Sequence, residues 1–218
     1  MAVNRTVRNV LVAGAVAAAA GVVLRDLPAS LGRRPSGPRA DRVRRSPNFR
    51  DGAFHNPPSA VAVPIRPGFK VVVKQLGDFA SRRPRGDVPL VSAVPEPVRD
   101  GLRATWYGHS SVLLEIEGRR VLLDPIWSRR PSPVRFAGPR RLHPAPVPLD
   151  ALPPVDAVVI SHDHYDHLDM PTVRALSRTQ AARFVVPLGI GGHLERWGVP
   201  ASRIVELDWE EEAKVAGL

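Results

Sequence analysis

The 218-residue chain has no cysteine, which removes a disulfide framework, a thiolate zinc finger, an iron–sulfur cluster, a cysteine nucleophile and a lipid-modified cysteine together. Any metal must therefore bind through His, Asp or Glu. No internal repeat is visible, and the apolar run Val10–Leu24 (VLVAGAVAAAAGVVL) would be roughly 22 Å long as a helix, short of the ~30 Å core of a bilayer. Acidic residues are scarce at the start: residues 1–50 hold ten arginines against two acids, whereas residues 51–218 are nearly balanced, with 21 basic and 19 acidic side chains. The basicity belongs to the N-terminal end. A nucleic-acid-binding domain carries its positive stripe on the folded body, so nucleic acid is not expected as a partner. What is abundant is apolar material, 44% of the chain, enough for a core. Proline is abundant too, and 21 of the 24 prolines precede residue 155, which divides a poorly ordered first part from a foldable second.

Residues 1–24 read as a signal- or anchor-like apolar segment. Ala18 and Ala20 offer an A-x-A cleavage site, but cutting there would leave Val22, Val23 and Leu24 on the new end. Arg5 and Arg8 precede the run, and six arginines, Arg25, Arg33, Arg34, Arg39, Arg42 and Arg44, follow it within twenty residues. The positive-inside rule keeps the richer flank in the cytoplasm. The expectation is a membrane-associated protein with its folded part cytoplasmic; a cleaved segment would instead imply secretion or a periplasmic location. A disordered Ala-rich extension is the plainer alternative. Residues 25–50 are expected to be a basic, disordered linker able to lie against anionic headgroups. Residues 51–101 form a Pro-rich wrapping segment, where Val71–Val73 could start a helix or strand and Pro84, Pro89, Pro95 and Pro97 interrupt any long element.

From Leu102 the pattern becomes regular. Strands are predicted at Arg103–Trp106, Ser111–Ile116 and Arg120–Leu123, with Gly118 in a turn, as an antiparallel meander. Asp156–Ser161 is almost wholly apolar and reads as a strand buried on both faces. Helices at Pro171–Arg178 and Ile190–Trp197, the second stopped by Gly198, alternate with strands at Arg183–Val186 and Arg203–Leu207, an α/β (α+β) pattern. Directly after the buried strand stands His162-Asp163-His164-Tyr165-Asp166-His167. Three imidazoles and two carboxylates in six residues are costly unless something neutralises and orders them. In extended chain His162 and His164 share a side. After a turn, Asp166 and His167 can offer an oxygen and a nitrogen to a second cation. Such a donor set suits zinc, with iron or manganese as alternatives.

This motif resembles the H-x-H-x-D-H signature of the metallo-β-lactamase superfamily at all four fixed positions. Thr105-Trp106-Tyr107-Gly108-His109-Ser110-Ser111, Leu123-Asp124-Pro125-Ile126-Trp127-Ser128, Gly138-Pro139-Arg140-Arg141, Leu152–Ala157, Leu168-Asp169, Val186–Gly189 and Glu206–Trp209 narrow the likeness. Together they resemble the branch of phospholipases D that hydrolyse N-acylphosphatidylethanolamine; ascorbate-6-phosphate lactonases share part of them. The resemblance implies an αβ/βα sandwich, of which this chain would supply the first half. It implies two Zn2+ per complete site, His162 and His164 on the first and Asp166 and His167 on the second. It further implies that a metal-held hydroxide attacks a phospholipid phosphodiester, with Asp166 orienting the water catalytically and Asp124 as the acceptor that steadies a ligand imidazole. Phospholipid or another phosphodiester, at a membrane surface, is the expected partner.

The family completes its site with a further His, a bridging Asp and a final His beyond the position of Glu212, whereas this sequence ends at Leu218. The domain at 102–218 is therefore expected to be incomplete. His193 does not occupy a family ligand position and reads as a helix-surface or half-buried residue. His109 either lines the site or is structural, and His55 and His143 carry no signal. Arg140-Arg141, near Arg129-Arg130 and Arg135, would meet a phosphate or remain a solvated loop. Glu210–Glu212 reads as solvated. An inactive fragment lacking the downstream ligands, a lactonase and a nuclease stay open as alternative functions.

Overall fold

The structure, a computed structural model, describes residues 5–57, 84–92 and 100–218. The expectation at Val71–Val73 and most of the wrapping segment lie outside these residues. An N-terminal helix α1 (Arg5–Ser30) is followed by α2 (Pro38–Arg45) and a two-stranded ribbon, β1 (Phe49–Arg50) and β2 (Ala53–Phe54). The main body is β3 (Leu102–Gly108), β4 (Ser111–Ile116), β5 (Arg119–Leu123), β6 (Ala157–Val159), α3 (Met170–Thr179), β7 (Arg183–Pro187), α4 (Gly191–Arg196) and β8 (Ile204–Leu207). Its six strands form one sheet in the order β3-β4-β5-β6-β7-β8. The first three pair antiparallel and β5 to β8 run parallel, giving the mixed α/β sheet expected for a metallo-β-lactamase fold.

Local chemistry explains these elements. Glu117 and Gly118, at φ 49° and 78°, make the two-residue turn between β4 and β5, the mirror-image type whose twist matches the strands it joins. Strand β6 is shorter than the Asp156–Ser161 run because Asp156 turns aside, its carboxylate accepting the Arg120 N–H at 2.8 Å. The pattern on β4 alternates buried and half-buried residues, so one sheet face is core. Leu113, Leu122, Val158 and Phe184 share that face in register. Against them α3 sets Met170, Val173 and Leu176, and α4 sets Leu194, the three-residue spacing that puts a helical stripe on a sheet.

Residues 25–50 depart from the expectation of a disordered linker. Ser30 and Val43 are buried, Trp197 Nε1–H donates to Ala29 O at 2.8 Å, and Arg196 donates to Pro28 O at 3.1 Å. Arg39 pairs with Glu206 and, at 2.9 Å, with Glu195. Arg42 donates to Glu206 O at 2.9 Å and pairs with Glu211, so the acidic run is not wholly solvated. Burial disfavours the Arg39 charge, yet the bond to Glu195 and the nearby Glu206 carboxylate more than offset this and hold its pKa above the ordinary arginine value. Composition shows arginines but not the acids that receive them more than 150 positions later. Where the strap crosses α4 the approach is close: a Cβ on Gly192 would lie 2.7 Å from Arg33 O, and one on Gly32, at φ 69°, would overlap the His193 ring. α1 is longer at both ends than the apolar run at 10–24, and among the described residues no helix is long and apolar enough to cross a membrane.

Candidate metal centre

The parallel pairing of Leu123 with Val159 places the ends of β5 and β6 side by side, and the site grows from those ends. Asp124 leaves β5 at φ 39°, a left-handed conformation that a non-glycine residue keeps only when its surroundings hold it. Here Asp124 N–H donates to Val159 O at 2.9 Å, and Ser111 Oγ–H donates to Asp124 O at 2.8 Å while accepting Ile126 N–H at 2.9 Å. The Asp124 carboxylate then faces the start of the motif. Its Oδ1 accepts Ser161 N–H at 2.7 Å, and its Oδ2 accepts Ser161 Oγ–H at 2.7 Å and lies 2.9 Å from His167 Nδ1.

Hydrogen-bond bookkeeping assigns the ring protons. A carboxylate only accepts, so His167 Nδ1 donates to Asp124. The single hydroxyl proton of Ser161 also goes to Asp124, so His162 Nδ1, 2.9 Å from Ser161 Oγ, must donate as well. Each imidazole in its neutral form then keeps a bare Nε2, the form that binds a cation. The rings lie close together: centroids are 4.0 Å apart for His162 and His167 and 4.6 Å for His162 and His164. Asp166 Oδ2 is 4.0 Å from His167 Nε2. The structure thus brings the rings of His162, His164 and His167 together, sets Asp166 beside His167, and hydrogen-bonds Asp124 to His167; the donor atoms within 4.8 Å of one another among the described residues include Asp166 and His167 but not His162 or His164. Burial, followed by the neighbouring His167 and His164, pushes the His162 pKa below its ordinary value. Burial works against ionised Asp166, but its backbone hydrogen bond, His167 and His109 outweigh it and hold the carboxyl below its usual value. A carboxylate held in its ionised form beside an imidazole is a donor set suited to a divalent ion.

His109, ambiguous in the sequence, belongs to the cluster. The β3–β4 register shifts between Trp106 and Gly108, and His109 follows at φ 50°, a bulge that re-aims the chain. Its Nε2 donates to Asp166 Oδ2 at 3.0 Å, and single donor atoms of His109, Asp166 and His167 all lie within 4.8 Å of one another. Ser110 Oγ adds a hydrogen bond to Asp166 O at 3.1 Å. Ser161 was missed in the sequence because its role appears only once β5 and β6 pair. Asp169 is buried where α3 begins; its Oδ2 accepts Ser128 N–H at 3.1 Å and the Thr172 hydroxyl, and burial pushes its pKa up. That contact ties the loop after Asp124 to the helix after His167.

Arg141 lines the cavity beside the cluster, with much of its guanidinium spent on backbone carbonyls. It donates to Ile126 O, to Tyr107 O at 2.6 Å and to His143 O at 3.3 Å, and burial lowers its pKa. Arg140 is exposed and lines the same cavity, of about 860 Å3, together with His164, Asp166, Trp106, Leu142 and Trp197. The cavity is mostly apolar; its polar lining includes the cluster residues His109, His164 and Asp166 and, outside the cluster, Ser30, Arg140, Arg141, His143 and His193.

Residues 119–218 match a family described as the Beta-lactamase superfamily domain. That match agrees with the superfamily likeness of the motif. The chain is 50% identical over 222 residues to an uncharacterized protein of Mycobacterium tuberculosis, covering 98% of this chain and 58% of that protein. It is 35% identical over 175 residues to N-acyl-phosphatidylethanolamine-hydrolyzing phospholipase D 1 of Caenorhabditis elegans, covering 74% and 49% respectively. To a UPF0173 metal-dependent hydrolase of Anaeromyxobacter it is 30% identical over 109 residues, covering 50% and 35%. The chain thus spans about half the length of the curated relatives it matches. The superfamily match and the relative named as a metal-dependent hydrolase agree with a His/Asp metal site in this chain.

Proposed function

We propose that this metallo-β-lactamase-type domain hydrolyses the phosphodiester of phospholipids resembling N-acylphosphatidylethanolamine, with two zinc ions as its metal. The observation that carries the reading is that His164 and Asp166 line a mostly apolar cavity of about 860 Å3. A polar reaction centre beside an apolar chamber suits an amphipathic substrate better than a sugar or nucleotide. His162 and His164 would hold one cation, and Asp166 and His167 the other. The fit rests on the bare Nε2 atoms that Asp124 and Ser161 enforce on His162 and His167. Bound there, divalent cations supply Lewis acidity and an acidified water.

The chain's own residues do the rest. Asp124 and Ser161 keep two imidazoles in the ligating tautomer. Asp166, low in pKa and hydrogen-bonded to His109, holds an oxygen ready to orient a water or receive its proton. Trp106, Leu142 and Trp197 offer apolar surface for acyl chains along the cavity. The membrane is the proposed source of substrate, supported by the exposed apolar Val10, Leu11 and Val12 of α1 and by the arginines beside it, with the domain on the cytoplasmic side.

The test is metal analysis of the purified chain with a turnover assay on N-acylphosphatidylethanolamine in mixed vesicles. About two zinc per chain and released phosphatidic acid support the proposal. Substoichiometric metal and no turnover overturn it for this polypeptide. Cleavage of a lactone or of nucleic acid with the lipid untouched would assign the site to another chemistry.

A further inference from the structure

His193 stands outside the metal cluster, yet its surroundings are built. The Arg33 N–H donates to His193 Nδ1 at 3.0 Å, and the Trp197 ring stacks on the imidazole at 6.0 Å and 28°. The strap reaches the ring only because residues 32 and 192 are glycines, as the close approaches there demand. An Nδ1 that accepts a backbone proton is bare, so the neutral ring carries its proton on Nε2. This is the opposite tautomer to His162 and His167. Among the described residues Nε2–H has no hydrogen-bond partner, and the one buried side-chain polar atom without a partner is Tyr107 Oη. The His193 Nε2–H is therefore not sealed in protein. His193 lines the cavity that holds His164 and Asp166, and also the adjoining cavity that reaches Ser161 and His162.

We propose that His193 is a substrate-positioning residue, whose Nε2–H, oriented by the strap at residues 29–33, donates to a non-bridging oxygen of a phosphodiester lying beside the metal cluster. The inference takes its ligand from the phosphodiester reading above. Burial lowers the pKa of the ring, and the nearby Asp163 only partly opposes this, so the neutral donor form prevails at pH 7. A neutral donor on a phosphate oxygen holds the group without trapping it as a fixed cation would. The strap thereby shares in the binding wall: Ser30 and Leu31 line the same cavity as His193.

Two conservative variants separate the two faces of the ring. In His193→Asn the amide oxygen can replace Nδ1 as acceptor for Arg33 but nothing reaches the Nε2 position. In His193→Gln the amide N–H can replace Nε2–H while the acceptor for the strap is lost. With diethyl phosphate as probe and binding followed by 31P NMR on the full chain, His193→Asn is expected to weaken binding about tenfold or more with Tm unchanged. His193→Gln should bind within about threefold of the parent while melting earlier. On the parent chain labelled with 15N-histidine, the His193 signals should show protonated Nε2 and bare Nδ1 at pH 7, and Nε2 should shift as diethyl phosphate is added. Binding by His193→Asn equal to the parent, an Nδ1–H tautomer, or an Nε2–H bonded to Asp163 and indifferent to the diester would each overturn the proposal. These readouts need no turnover. A chain that shows them but never hydrolyses lipid refutes the hydrolase reading and leaves the diester-binding role standing.

Discussion

Replacing Arg39 by alanine tests whether the N-terminal strap is part of the folded domain. The Glu206 side chain is 4% exposed and Arg39 16%. Glu206 Oε1 accepts Gly189 N–H at 2.8 Å and Gly191 N–H at 2.9 Å, and Oε2 receives Arg39. Without Arg39 one carboxylate oxygen stays buried and unpaired, a loss typically worth 3–5 kcal/mol. Because Arg39 is partly exposed and water can enter the gap, about 3 kcal/mol is expected. With a urea slope of about 2 kcal/mol/M, the midpoint should fall by about 1.5 M. Arg44→Ala is the internal control, since the Arg44–Asp41 pair has side chains 64% and 50% exposed and should cost under about 0.5 kcal/mol. A double-mutant cycle with Glu206→Gln isolates the pair term. Tryptophan fluorescence follows the transition, Trp197 being bonded to the strap itself. If Arg39→Ala unfolds at the same urea concentration as Arg44→Ala, the strap does not dock and residues 25–50 are the solvated linker their composition suggests.

Asp124→Ala should weaken zinc affinity about 10- to 100-fold, measured by competition with a chromophoric chelator; unchanged affinity would refute the orienting role of that carboxylate. Gly192→Ala should destabilise by roughly 1–3 kcal/mol, because the new methyl meets Arg33 backbone, whereas Gly14→Ala has open space around it and should stabilise α1 by about 0.5–1 kcal/mol; equal effects in thermal melts would contradict the close crossing. His193 has a depressed pKa in the folded chain, so the unfolded chain binds its proton first. Its contribution to stability is present above the unfolded value near 6.5 and is lost as pH falls through that value toward the folded pKa. Urea midpoints of the parent should therefore drop more between pH 7 and pH 5 than those of His193→Asn, and parallel profiles would contradict the burial of the ring.

Much of the fold was legible because its signals are local. Alternation in Ser111–Ile116, the apolar run at Val158, and Gly118 and Gly198 at element ends each depend on a few neighbouring residues. The cluster His162–His167 was legible for the same reason, being contiguous and following a buried strand. What escaped the sequence depends on pairing. Ser161 and Asp124 meet only through the β5–β6 register, and His109 joins Asp166 only because a bulge turns the chain at Gly108. The docking of residues 25–50 escaped for a third reason: arginines usually signal solvation, and nothing near Arg39 or Arg42 in the chain discloses Glu206 or Glu211.

The strap also sets an order of events during synthesis. Arg39 and Glu206 are 167 positions apart, and translation at about 5–20 residues per second delays their meeting by roughly ten to thirty seconds. Through that interval α2, which carries Arg39 and Arg42, has emerged from the ribosome without its carboxylate partners, free to be captured by a chaperone or a lipid surface before the rest of the domain can reclaim it.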